Sequence, residues 1–152
     1  SEIARIMREG YDVGLLNEGF ENLITGLKLD YLLIDTHPGL NEETLLSIAI
    51  SDVLVIIMRP DQQDYQGTSV TVEVARKLDV PNLYLVVNKV PSVLEPEDVR
   101  ARVEQTYNCQ VAAVLPHSDD MMTLASSGIF SLRYPDHPVT RGLKQLAAFI
   151  MA

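Results

Sequence analysis

The chain has one cysteine, no tryptophan, 6% aromatic residues and few cations: 12 Lys+Arg stand against 21 Asp+Glu, a net charge of -9. A lone Cys109 excludes an internal disulfide and fits a reducing compartment, so a cytoplasmic protein is expected. The shortage of basic charge excludes non-specific nucleic-acid binding, because phosphate attraction needs a basic face and the cations here are scattered along the chain. Long apolar runs are also missing. The longest, Leu146 to Ala152, has seven residues, whereas a membrane-spanning helix needs about 20. No basic-then-apolar leader is visible, and nothing marks secretion. What remains is ordinary globular composition, 47% hydrophobic and 22% charged over 152 residues, enough for one domain with a real core.

Four short apolar runs stand out: Tyr31–Ile34, Val53–Met58, Leu83–Val87 and Val111–Leu115. They lack polar alternation, the pattern of strands buried on both faces of a parallel sheet. Helical stretches lie between them. Asn41 is placed to cap a helix opening with Glu42 and Glu43. Gln66–Leu78 carries Val70, Val74 and Leu78 at four-residue spacing. Pro96 suits a first helical position, with Val99, Val103 and Tyr107 on one face. Asp119–Ser127 reads as a helix stopped by Gly128, and Thr140 as the cap of a last helix. Residues 1–29 read as a helical lead-in broken at Gly10, Gly14 and Gly19, and residues 30–152 as successive βα units. The order implies an α/β fold, a mostly parallel sheet with helices on both faces.

In such sheets, ligands bind beyond the carboxyl ends of the strands. Asp35 follows the first strand, where a carboxylate can hold hydrated Mg²⁺ beside a phosphate; otherwise it would cap the next helix. Gly39 lets backbone approach a phosphate closely. Asn88 follows the third strand and offers both donor and acceptor to the edge of a purine; its plainer role would be a turn residue before Pro91. His37, His117 and His137 are not spaced as a metal set, and Asp119–Asp120 suits a first helical turn.

The run Asp30–Leu40, with Asp35-Thr36-His37-Pro38-Gly39, resembles the Walker B strand and switch of the MinD/ParA-type P-loop ATPases. Asn88-Lys89 resembles their base-recognition pair, and Val114–Asp120 their last strand and adenine-side loop. The order agrees from about Leu29 onward. The resemblance implies that Asp35 binds Mg²⁺, that Gly39 senses the γ-phosphate, and that Asn88, Lys89 and Pro116 serve the ATP base. It implies an ATP-dependent, homodimerising switch that positions cell-division, chromosome or other cargo. His37 stands where the family has proline.

The P-loop signature G-x-x-x-x-G-K-[ST] has no counterpart, since no Gly-Lys dipeptide occurs in the chain. The chain is therefore expected to represent the C-terminal part of a single such domain and not to hydrolyse ATP alone. A second reading is a non-catalytic interaction module on a degenerate P-loop scaffold. A phospho-receiver would need an earlier acidic strand end, which residues 1–29 do not offer. In the resembled family the P-loop strand lies between the Walker B strand and the next strand in sequence. Val53–Met58 should thus keep a parallel partner in Leu83–Val87 and face a gap on its other side. The last helix has only Arg141 and Lys144 as cations, so packing on the sheet is expected over stable membrane binding.

Overall fold

The computed structural model describes residues 13–151. They form two compact units, one up to Ser51 and one from Asp52 onward.

The first unit holds α1 (Val13–Leu27) and α2 (Glu42–Ala49). Gly14 and Gly19 do not break α1, which runs through both; Gly10 lies outside the described residues. An interior glycine costs only about 1 kcal/mol, too little to stop a helix of this length. The C-terminus of α1 closes with Leu29 N–H donating to Ile24 O at 3.0 Å and Lys28 in left-handed conformation at φ 53. Asn41 caps α2 as expected, its Oδ1 accepting from Thr44 N at 2.8 Å, and Leu46 and Ile48 are buried. Tyr31–Ile34 is no strand. The segment belongs to no sheet among the described residues, and Leu33 is 91% exposed. Its apolar composition favours extended backbone, but a strand forms only where a neighbour takes up its N–H and C=O groups.

The second unit contains three parallel strands, β1 (Val53–Met58), β2 (Asn82–Val90) and β3 (Gln110–Pro116), in the order β1-β2-β3. Val53 pairs with Asn82 and Met58 with Val87, so the expected parallel pairing of these strands is present. Helices α3 (Gln62–Lys77), α4 (Pro96–Tyr107), α5 (Asp119–Leu124), α6 (Phe130–Arg133) and α7 (Pro138–Ile150) complete the unit. On one face Met58, Leu85, Val87 and Val111 pack with Val72 of α3 and with Val99, Val103 and Tyr107 of α4. On the other, Val86, Ala113 and Leu115 pack with Leu143 and Leu146 of α7. The helices thus cover both faces, as the patternless apolar strands require.

Three local expectations fail for identifiable reasons. The buried stripe of α3 is Thr68, Val72 and Ala75, while Val70 and Leu78 are exposed; two stripes compete on this helix, and the sheet takes the one adjoining Tyr65. Helix α5 stops at Leu124 with Ala125 at φ 45, not at Gly128. Thr140 lies inside α7, fully buried, its hydroxyl donating to Tyr134 O at 2.7 Å. The cap is His137, whose Nδ1 accepts from Val139 N at 3.1 Å ahead of Pro138. Replacing His137→Ala removes that acceptor and is expected to cost about 0.5–2 kcal/mol. Urea unfolding of the two proteins checks it; an unchanged midpoint would remove the cap's role.

Tyr107 closes the α3–α4 side. Its ring stacks on Tyr65 with centroids 5.9 Å apart, and its hydroxyl donates to Tyr65 O at 2.8 Å. Burial first, then the neighbouring Tyr65, pushes its pKa from 10.0 to about 12. The folded state therefore holds the phenol proton more tightly than the unfolded chain does. That stability is complete below pH 10 and is lost as pH rises toward about 12. Tyr107→Phe is expected to remove this alkaline slope while costing about 0.5–1.5 kcal/mol at neutral pH for the lost hydrogen bond. Denaturant midpoints measured from pH 8 to 12 test it, and equal slopes in both proteins would contradict it.

Candidate functional site

The carboxyl end of β1 carries an ion-pair cluster to which sequence reasoning assigned no role. Arg59 N donates to Asp64 Oδ2 at 2.8 Å and Arg59 Nε to the same oxygen at 3.2 Å. Asp61 Oδ2 also lies 3.2 Å from Arg59 Nε. Asp61 caps α3 by accepting from Asp64 N at 3.0 Å. The hydrogen bond from the Arg59 guanidinium holds the Asp64 carboxyl below the usual carboxylate range. The cluster fixes the turn from β1 into α3. Its signal in the sequence was Arg followed by acids two and five residues later at a strand end.

Asn88 and Lys89 lie at the end of β2, just before its last residue, Val90. Asn88 is half-buried, and its Oδ1 accepts from Lys89 N at 2.8 Å. That leaves the Asn88 amide NH₂ without a hydrogen bond among the described residues. Lys89 is exposed at φ 56 and makes no ion pair among the described residues. Beyond it, Val90 pairs with Pro116, and His117 N donates to Val90 O at 2.9 Å. The fold therefore brings Asn88, Lys89 and Pro116 to one end of two adjacent strands. Ser118 then caps α5, accepting from Met121 N at 3.2 Å, with Asp119 and Asp120 in the first turn as expected. His117 Nε2 lies 3.1 Å from Asp119 Oδ1, and His137 Nε2 lies 3.8 Å from Asp120 Oδ2. These histidines serve local structure.

In the first unit, Asp35 and Gly39 share one exposed loop. Gly39 has φ +102 with open space around its Cβ direction, so the backbone conformation is what demands glycine there. Thr44 Oγ1 donates to His37 O at 3.4 Å and ties the loop to α2. Among the described residues no group of three or more His, Cys, Asp or Glu could hold a metal by itself.

A surface depression lies at the opposite ends of the sheet's strands. About 240 Å³ in volume, it sits at the beginnings of β2 and β3, between Arg76, Leu83, Asn108 and Cys109. Arg76 donates there to Tyr107 O at 2.5 Å and to Asn108 O at 3.0 Å, fastening the C-terminus of α4. Burial pushes the Cys109 thiol pKa up, and its Sγ–H donates to Leu83 O at 3.3 Å. A protonated, bonded thiol is a packing group. No helix among the described residues is long and apolar enough to cross a membrane.

Three parallel strands with helices on both faces, and polar loops gathered at the strands' carboxyl ends, define the α/β fold of the MinD/ParA P-loop ATPases. The MinD cell division protein of Aquifex aeolicus superposes with a TM-score of 0.80 at 16% identity, over 92% of this chain and 61% of that one. The cell division ATPase MinD of Pyrococcus furiosus gives 0.73 at 21% identity, over 91% and 58%. A ParA family ATPase from Chlorobium tepidum gives 0.72 at 13% identity, over 91% and 57%. In sequence, the chain is 24% identical over 121 residues to an uncharacterised ATP-binding protein of Methanocaldococcus jannaschii, covering 79% of this chain and 46% of that protein. The chain thus spans about half the length of the curated relative it matches. No family profile matches the sequence.

Proposed function

We propose that this chain is the C-terminal part of a molecular switch domain of the MinD/ParA type, one that binds ATP, hydrolyses it and dimerises with it. The observation that carries the reading is the joining of Asn88, Lys89 and Pro116 at the carboxyl ends of β2 and β3, in a fold shared with MinD and ParA ATPases. The likeness to an ATP-binding protein supports the choice of nucleotide. Asn88 fits a purine edge: its oxygen is engaged by Lys89 N, and its NH₂ is left to donate to a ring nitrogen. Gly39, with backbone in a glycine-only conformation on an exposed loop, fits close approach to a phosphate. Asp35, an exposed lone carboxylate, fits Mg²⁺, which binds through one or two carboxylates together with water and phosphate. The ion, when bound, neutralises phosphate charge; Asp35 orients it, and Gly39 N–H reports the γ-phosphate.

The electrostatic share of phosphoryl transfer that falls to a P-loop lysine is not supplied by these 152 residues, which contain no Gly-Lys. On this reading that group, with a strand to adjoin β1, comes from a segment outside them. A net charge of -9 supports an absence of non-specific DNA binding. Packing of the half-buried Leu143 and Leu146 against the sheet supports a structural rather than a membrane role for α7. Cell-division or partitioning cargo, and a cytoplasmic site of action, follow from the same reading. Light scattering on the protein with its phosphate-binding loop tests it. The mass should double with Mg²⁺-ATP and return to monomer with ADP. A mass indifferent to nucleotide would favour the non-catalytic interaction module instead.

A further inference from the structure

The two edges of the sheet are finished differently. Among the described residues strand β1 pairs on one side only, and Val53–Met58 is apolar throughout. It carries no lysine, proline or bulge of the kind that guards a natural edge. Strand β3 also has a neighbour strand on one side only among the described residues, but its outer edge is occupied. The Val111 N–H donates to Glu104 Oε1 at 2.9 Å, and the Val111 C=O accepts from Arg100 Nη1. In a parallel strand the N–H and C=O of one residue point to the same side, so both groups of Val111 turn away from β2. Arg100 and Glu104 are one helical turn apart on α4, and together they supply the acceptor and donor that a further strand would present. Both side chains are half-buried rather than waving in solvent. The register steps from Val111 to Ala113 between Leu85 and Val86, a bulge that twists the edge at the same point.

We propose that Arg100 and Glu104 form a side-chain cover that closes the β3 edge to strand addition by a second copy of this chain. The sheet then has one edge built for extension, β1, and one built to end it. Exposed edges otherwise pair with like edges, and β3 without its cover offers an apolar strand from Val111 to Leu115 for that purpose.

The test is the concentration dependence of mass in the full chain, by sedimentation equilibrium, with amide exchange at Val111 as a locator. Arg100→Ala/Glu104→Ala removes the cover at unchanged net charge. Arg100→Lys/Glu104→Gln keeps a donor and an acceptor, and Glu73→Ala/Arg102→Ala removes one charge of each sign elsewhere. The uncovered variant is expected to self-associate at least about tenfold more tightly than the wild type, with the Val111 amide protected at high concentration and open on dilution. The other two variants should match the wild type. Should the double alanine variant fail to fold, Glu104→Ala, which frees only the N–H, is read by the same two measurements. A folded, uncovered chain with the wild-type association constant would overturn the proposal. So would association that leaves the Val111 amide exchanging freely.

Discussion

Mg²⁺-ATP titrated calorimetrically into the 152-residue chain alone is expected to give no micromolar binding isotherm, and incubation with ATP no phosphate release. The base side of the proposed site offers one donor from Asn88, one cation at Lys89 and the Pro116 loop. The triphosphate carries most of the ligand's charge, and its cradle of backbone N–H groups and lysine is the part with no counterpart in the sequence. The charge of -9 opposes an anionic ligand as well. A saturating isotherm at micromolar ATP would mean that these residues form a complete nucleotide site by another arrangement.

Within a protein that carries the phosphate-binding loop, Asp35→Ala should lower ATP turnover by about 100-fold or more, the scale seen when one electrostatic contact to developing charge is removed. Stability should change by no more than about 0.5 kcal/mol, because Asp35 is exposed on an irregular loop. Steady-state phosphate release and a thermal melt separate the two effects. Unchanged turnover would rule out a metal role for Asp35. A collapsed melt would make it a structural residue of the loop.

The sheet was legible because its strands carry apolar residues on both faces, so Val53–Met58, Leu83–Val87 and Val111–Leu115 read as continuous apolar runs and emerged as β1, β2 and β3. Tyr31–Ile34 has the same composition and no ladder, since composition sets the tendency and a hydrogen-bonded neighbour makes the strand. Helix α4 was read correctly because one stripe alone is apolar: Val99, Val103 and Tyr107 are all buried. Helix α3 has two usable stripes, and only tertiary packing chose Thr68, Val72 and Ala75. Capping by His137 was illegible because an imidazole acceptor depends on its tautomer, whereas Thr140 fits the usual rule. At the candidate site, βα order alone placed Asn88, Lys89 and Pro116 at strand ends, and the pairing of Val90 with Pro116 brought them together. The Arg59–Asp61–Asp64 cluster was visible as residues but not as a contact, because its geometry depends on how β1 turns into α3.

The most direct measurement is a crystal structure of the protein with its phosphate-binding loop, Mg²⁺ and a non-hydrolysable ATP analogue. A parallel strand is expected hydrogen-bonded along the outer edge of Val53–Met58, with the adenine within hydrogen-bonding reach of Asn88 and beside Pro116, and the ion held through the Asp35 loop. A bare β1 edge, or a nucleotide seated away from the carboxyl ends of β2 and β3, would contradict the proposed function.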